Sequence, residues 1–298
     1  QLRVRLRPGL GVSVHRGADN IYFYGVAEMA MFMGLKEGEN TIDPPEGEMQ
    51  LPILCANNHI LFLDKKASSS GAIKPPMAAD LLDFYTPEQL RMHFLGLGLG
   101  QRSVSFMPKP YNPNAKPEDP DPVVKDGFLL SNVFNRIIRT CIYSVQKYFD
   151  GVMPVGEVDE QVLADAKKAI LDYERFMYRF EFHQATYVLD SYIRKASKYM
   201  AKNLGDADKA DDNEARRRAL IQVFHMIRTA AVLLHPMAPQ GTEMILEYLQ
   251  LDKSFWSWDK IFDTISDFTG GKDHKLKFLE PRVDFFTKHQ SQFNTSEE

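Results

Sequence analysis

Residues 130–145, LSNVFNRIIRTCIYSV, decide how most of this chain is read. Leu130, Phe134, Ile137, Ile138, Cys141 and Val145 recur at helical spacing, which makes one wall of a helix apolar. Asn132, Asn135, Arg136 and Arg139 are expected on the other side. The same kind of pattern fills residues 124–149, 157–180, 183–204 and 212–234. Four long amphipathic helices joined by short connections read as a bundle. After Pro239 a further amphipathic helix runs to residue 249, and residues 275–286 have the period-two character of a small strand. No internal repeat is visible.

Upstream the character changes. Residues 107–123 hold six prolines among Asp, Asn and Lys, and no helix continues through such a stretch. Before it, residues 19–35 read as an apolar helix, and 36–48 as a loop with Gly and Pro. Residues 51–56 and 59–63 are apolar runs of strand length. Then come DKKASSSG at residues 64–71 and a helical run over 78–85. Thr86-Pro87-Glu88 opens a helix with Thr as N-cap and Pro in the first turn. Strands alternating with helices predict part of an α/β sheet. Gly9-Leu10-Gly11 reads as a turn, since a lone GxG is weak without a flanking strand and helix. The expected organisation is mainly α, with segments 1–106, 107–123 and 124–298.

Composition bounds the function. The chain has 298 residues, 44% hydrophobic and 26% charged, which suits a soluble protein of two ordinary domains. The apolar run over residues 30–35 is far too short to span a bilayer, so no membrane partner is expected. No leader pattern stands at the start of the sequence. Two cysteines, Cys55 and Cys141, make no disulfide framework and fit a reducing cytoplasm. The eight histidines show no zinc spacing, so no metal site is expected. A net charge of −4 argues weakly against nucleic acid, but charge distribution matters more than the sum. Basic residues gather near Arg194–Lys202 and at Arg216-Arg217-Arg218.

Several short elements then agree in order. Leu233-Leu234-His235-Pro236-Met237-Ala238-Pro239 stops one helix and restarts another, with Glu243 and Glu247 behind it. Asn132-Val133-Phe134-Asn135-Arg136 carries an Asn-x-x-x-Arg element early in the first long helix. Tyr192-Ile193 is followed seven positions after the tyrosine by Tyr199. Asp19-Asn20-Ile21-Tyr22-Phe23 leads into the first helix, two short strands follow, and then DKKASSSG. From about residue 14 to about 268 this order resembles the C-terminal half of methionyl-tRNA synthetases, class I aminoacyl-tRNA synthetases. The resemblance implies a partial Rossmann-like nucleotide-binding remnant followed by an α-helical anticodon-binding bundle. It implies ATP-dependent attachment of methionine to tRNA, with ATP as substrate together with magnesium. The partners are then tRNA, and ATP and methionine where the rest of the fold is supplied.

The resemblance places DKKASSSG at the KMSKS loop, whose lysines meet the phosphates of ATP. Positive charge is needed there because negative charge moves in the transition state. The catalytic candidates are Lys65, Lys66, Ser68, Ser69 and Ser70. With Lys66 as the first lysine of the motif, Ser69 stands where the second belongs. With Lys65 as the first, a serine again stands at the second. A mobile linker is the competing reading. The family's HIGH element does not occur in these residues, nor do the zinc-binding cysteines of its inserted domain. Tyr24 falls where the family has a pocket His, and Asn20 where it usually has an apolar residue. The chain by itself is expected to be inactive.

Anticodon recognition needs hydrogen-bonding groups for base edges, a π-face for stacking and cations for phosphates. Asn132 and Arg136, four apart on one helix face, are the expected base readers. Tyr199 takes the place of the family's tryptophan; it is either a stacking platform or a half-buried core residue. Arg194, Lys195, Lys198 and Lys202 around it are candidate phosphate contacts. Arg216 to Arg218 read first as a solvated charge run. Two other functions stay open: a tRNA-binding module without catalysis, or degenerate paralogue, and a helical interaction domain with no RNA role.

Overall fold

The computed structural model describes residues 13–17, 20–34, 53–66 and 74–293. They form two units. The smaller holds the described residues up to Pro75, with Leu97–Met107 and Tyr178–Glu181. The larger holds Pro76–Gly96, Pro108–Met177 and the described residues from Phe182 on.

In the smaller unit, β1 (Ser13–Gly17) pairs in parallel with β2 (Ile53–Asn57), Ser13 opposite Ile53 and Gly17 opposite Asn57. The crossover between them contains a helix that is π-helical over Tyr22–Glu28 and α-helical over Met29–Gly34 (α1). Parallel neighbours need such a crossover. Tyr22, Phe23, Val26 and Met31 on this helix are exposed. Next, β3 (Ile60–Phe62) turns through Leu63 and Asp64 into β4 (Lys65–Lys66), which pairs antiparallel. Leu63 and Asp64 have φ of 49° and 64°. Positive φ at both central residues suits a tight two-residue hairpin, because its twist matches the strands. β3 also pairs in parallel with β5 (Val104–Phe106). Three of these strands, β1, β4 and β5, are additions to the sequence reading, and β4 lies at the start of the stretch read as a loop. Gly9 to Gly11 and Ser68, Ser69 and Ser70 lie outside the described residues.

The larger unit is helical. α2 (Ala78–Leu81) and α3 (Pro87–Gly96) open it. Thr86 and Gln89 cap α3 reciprocally: Gln89 N donates to Thr86 Oγ1 and Thr86 N to Gln89 Oε1. After the prolines, Asp121 caps α4 (Pro122–Phe128), accepting from Val123 N and Val124 N. A π-helical stretch, Leu129–Phe134, links α4 to α5 (Asn135–Tyr148). Then follow α6 (Glu160–Tyr178), α7 (Phe182–Ala210), α8 (Asn213–Leu234), α9 (Pro239–Leu249) and α10 (Ile265–Thr269). Every residue from 222 to 234 in α8 is buried, so α8 is the central helix of the bundle. Its buried Arg228 donates to the carbonyls of Lys260 and Ile261. The strand expected over 275–286 reduces to β7 (His274–Lys275), paired with β6 (Val152–Met153). The rest is an irregular strap, because its backbone is bonded by side chains of α5 rather than by a second strand. Gly241 admits that strap: a Cβ there would lie 2.2 Å from Phe286 Cε1 and 2.7 Å from Phe285 O.

Candidate nucleic-acid interface

The stripe that opened the sequence reading is the wall of the core. Leu130, Phe134, Ile137, Ile138, Cys141 and Val145 are each at most 2% exposed. Their burial turns the opposite face outward, where it lines a cleft of about 640 Å³. Asn132, half-buried, and Arg136, exposed, both line this cleft. Arg136 donates to Ser197 Oγ at 3.0 Å. A guanidinium has five N–H donors in a fork, so that bond leaves donors for a ligand. Arg139 pairs with Asp284 at 2.6 Å, and Lys288 of the strap also lines the cleft. Three cations and one carboxylate thus line the cleft.

Asn135 departs from the expected polar face. It is 3% exposed. Its Oδ1 accepts from Phe285 N (2.9 Å) and Phe286 N (3.1 Å), and its Nδ2 donates to Phe286 O (2.9 Å) and Ser131 O (3.0 Å). It is a clamp on the strap, since buried backbone groups must be paired.

Tyr199 lies elsewhere. It is half-buried against the core and lines a second cleft of about 380 Å³ with Asp159, Asp206, Asp212, Asn203 and Arg218. Burial, and then the Asp159 carboxylate, pushes its hydroxyl pKa up. Ser197, which meets Arg136, is two residues away, a rotation of roughly 200° on a helix. The structure therefore brings Asn132 and Arg136 together and leaves Tyr199 apart from them. The cations near Tyr199 are partly matched: Arg194 donates to both oxygens of Asp190, and Lys195 pairs with Asp165. Lys198 and Lys202 are exposed.

The run Arg216 to Arg218 is not a solvated face. Arg216 is fully buried, 3.7 Å over the Tyr148 ring, and pairs with Asp208 at 2.9 Å. Arg217 forks onto Asp273 and donates to Val155 O. Only Arg218 is exposed. Carboxylate partners at hydrogen-bond distance and, for the buried Arg216, a ring at contact distance make the first two structural.

In the smaller unit Lys65 and Lys66 are exposed on β4. Successive strand residues face opposite sides, so the two lysine side chains leave β4 from opposite faces. Tyr24 is half-buried and Asn20 exposed. Among the described residues no group of three His, Cys, Asp or Glu converges as a metal site, and no helix is long and apolar enough to cross a membrane.

Of the residues lining the first cleft, sequence reasoning named Arg139 only as part of the polar face and did not name Phe128, Lys288 or Phe293. Phe128, four before Asn132, and Arg139, three after Arg136, follow from extending the helical spacing. Lys288 and Phe293 come from the strap and its end, and no local signal announces them.

Residues 151–290 match the model of the anticodon binding domain of methionyl tRNA ligase. The methionine–tRNA ligase of Bacillus anthracis (strain CDC 684 / NRRL 3495) is 20% identical over 240 residues, covering 80% of this chain and 40% of that protein. The methionine–tRNA ligase of Thermococcus kodakarensis is 24% identical over 255 residues, covering 82% of this chain and 32% of that protein. Mycobacterium tuberculosis methionyl-tRNA synthetase bound by methionyl-adenylate superposes with a TM-score of 0.69 at 19% identity, covering 92% of this chain and 49% of that one. The chain is similar, over these residues, to the C-terminal, anticodon-binding part of methionyl-tRNA synthetases. It spans about 40% of the length of the first of these relatives.

Proposed function

We propose that this chain does the work of the C-terminal part of a methionine–tRNA ligase. The helical unit selects tRNA by its anticodon. Asn132 both donates and accepts and so suits a base edge. Arg136 forks onto a base edge or a phosphate, and Arg139 and Lys288 add positive charge. The observation that carries this reading is that Asn132 and Arg136 share one polar cleft on a helix whose other face is core. The match of residues 151–290 to a tRNA-ligase anticodon domain supports it.

The overall reaction is then ATP-dependent, with ATP bound as its magnesium complex. The methionine carboxylate attacks the α-phosphate and pyrophosphate leaves; a ribose hydroxyl of tRNA then attacks the acyl carbon of the adenylate, loses its proton, and AMP leaves. This chain contributes Lys65 or Lys66 to the departing phosphates; the remaining contacts belong to the rest of the nucleotide-binding fold. A tRNA-binding role without catalysis is the second reading, favoured by Ser69 at the place of the motif's second lysine. We place the protein in the cytoplasm, where its two free cysteines stay reduced. Filter binding of tRNA to the wild type and to Asn132→Ala tests the binding role: the variant should bind roughly 5- to 150-fold more weakly. A wild type that does not retain tRNA refutes it.

A further inference from the structure

We propose that Phe128 and Phe293 are the stacking surfaces of the Asn132–Arg136 cleft and hold an unstacked RNA base there. The proposal rests on the anticodon reading above and assigns its π-face to residues that do not include Tyr199. Both phenylalanines line the same cleft as Asn132, Arg136 and Lys288. Phe128 is 47% exposed and Phe293 63%, although phenylalanine is among the residues most often buried. Two exposed rings in one cleft mark a binding surface. Their setting is cationic and polar, which fits a nucleic-acid base and its phosphates.

Both rings stand on anchored backbone. Gly127, next to Phe128, packs on the buried Gln89, where a Cβ would come within 2.7 Å of Gln89 Cγ. The same Gln89 shares a 3.0 Å side-chain hydrogen bond with Gln292, next to Phe293. Gln292 Nε2 and Ser291 Oγ both donate to Phe84 O, at 3.0 and 3.1 Å. One buried side chain thus braces the two segments that carry the rings, so little order has to be gained when a base enters. Phe128, Asn132 and Arg136 lie on either side of and within the π-helical stretch Leu129–Phe134, and ring, amide and guanidinium line the same cleft. Tyr199 does not line this cleft and sits among carboxylates in the second one.

The test uses an anticodon stem-loop RNA with 2-aminopurine at successive loop positions, whose fluorescence is quenched on stacking. The wild type should quench at one position. Phe128→Ala and Phe293→Ala should lose that quenching and bind roughly 5- to 150-fold more weakly. Phe128→Tyr and Phe293→Tyr should restore both, and Tyr199→Ala should change neither. The exposed positions of Phe128 and Phe293 predict unchanged melting for their variants, checked in parallel; Tyr199, half-buried against the core, is scored by binding and quenching at a temperature where Tyr199→Ala is shown to be folded. If Asn132→Ala weakens binding while both Phe→Ala variants bind and quench as the wild type does, the stacking proposal is overturned and the anticodon reading survives. If the wild type does not bind the RNA, both are overturned. Loss of binding in Tyr199→Ala alone returns the stacking role to Tyr199 and overturns the proposal.

Discussion

Asn135 and Arg136 are neighbours in sequence with opposite roles, and replacing each by alanine separates the roles. Asn135→Ala deletes the partners of three buried backbone groups of the strap: Phe285 N, Phe286 N and Phe286 O. Each unsatisfied buried group costs about 1–3 kcal/mol, and partial relaxation keeps the sum below full additivity. A loss of ~3–5 kcal/mol is expected, at the high end for a single substitution. At 2–4 °C per kcal/mol for a unit of this size, the melting temperature should fall by roughly 6–20 °C. Arg136 is exposed and makes one bond, to Ser197. Arg136→Ala should change stability by about 0.5 kcal/mol or less and weaken tRNA binding by about 1–3 kcal/mol. Thermal denaturation followed by circular dichroism gives the first quantity and tRNA titration the second. Equal stability losses in the two variants, or an unchanged melting temperature in Asn135→Ala, would refute the clamp.

Further outcomes follow from the same geometry. Gly241→Ala drives a Cβ into Phe286 and the Phe285 carbonyl, so urea denaturation should show a loss of roughly 1–3 kcal/mol or more. Burial, aided by the Arg228 guanidinium, pushes the His225 pKa down to about 4 against a partial opposing pull from Asp267. Between pH 4 and 6.5 the folded state then binds fewer protons than the unfolded state. Stability that is full above pH 6.5 should be lost as pH falls through this window, by about 3 kcal/mol; because Glu88 titrates with the opposite sign, the loss is read as the difference between the wild type and His225→Phe, and parallel pH profiles of the two contradict it. The buried Glu88 carboxylate, which accepts from Gly241 N, has its pKa raised by burial. Stability should therefore decline as pH rises from the ordinary glutamate value near ~4.3, and Glu88→Gln should flatten that decline. In a preparation with the complete nucleotide-binding fold, one of Lys65→Ala and Lys66→Ala should slow methionine-dependent ATP–pyrophosphate exchange on the order of a hundredfold. Small, equal effects of the two would return residues 64–71 to a linker.

The helices were legible because their signal is periodic and local. The apolar stripe of α5 needs nothing beyond its own residues. Asn135 was misread because it belongs to the same polar type as its neighbours, and its partners, Phe285 and Phe286, are about 150 residues away. The π-helical stretch before it also shifts the phase that a regular helix would keep. Arg216 looked solvated for a similar reason: its ring partner, Tyr148, lies on another helix. β1 and β5 are short, and each is defined by a distant partner, β2 and β3. The pair Asn132 and Arg136 was readable, because four-residue spacing puts both on one face. The contributions of Lys288 and Phe293 were not, because only the returning strap brings them to the cleft.

The central claim is that the cleft of Asn132 and Arg136 reads an anticodon. The most direct measurement compares the affinity of this chain for a methionine-accepting tRNA with its affinity for the same tRNA carrying a substituted anticodon, at one fixed salt concentration. The account predicts that the substitution weakens binding roughly tenfold or more, and that Arg136→Ala removes most of the difference. Equal affinity for the two tRNAs would contradict it.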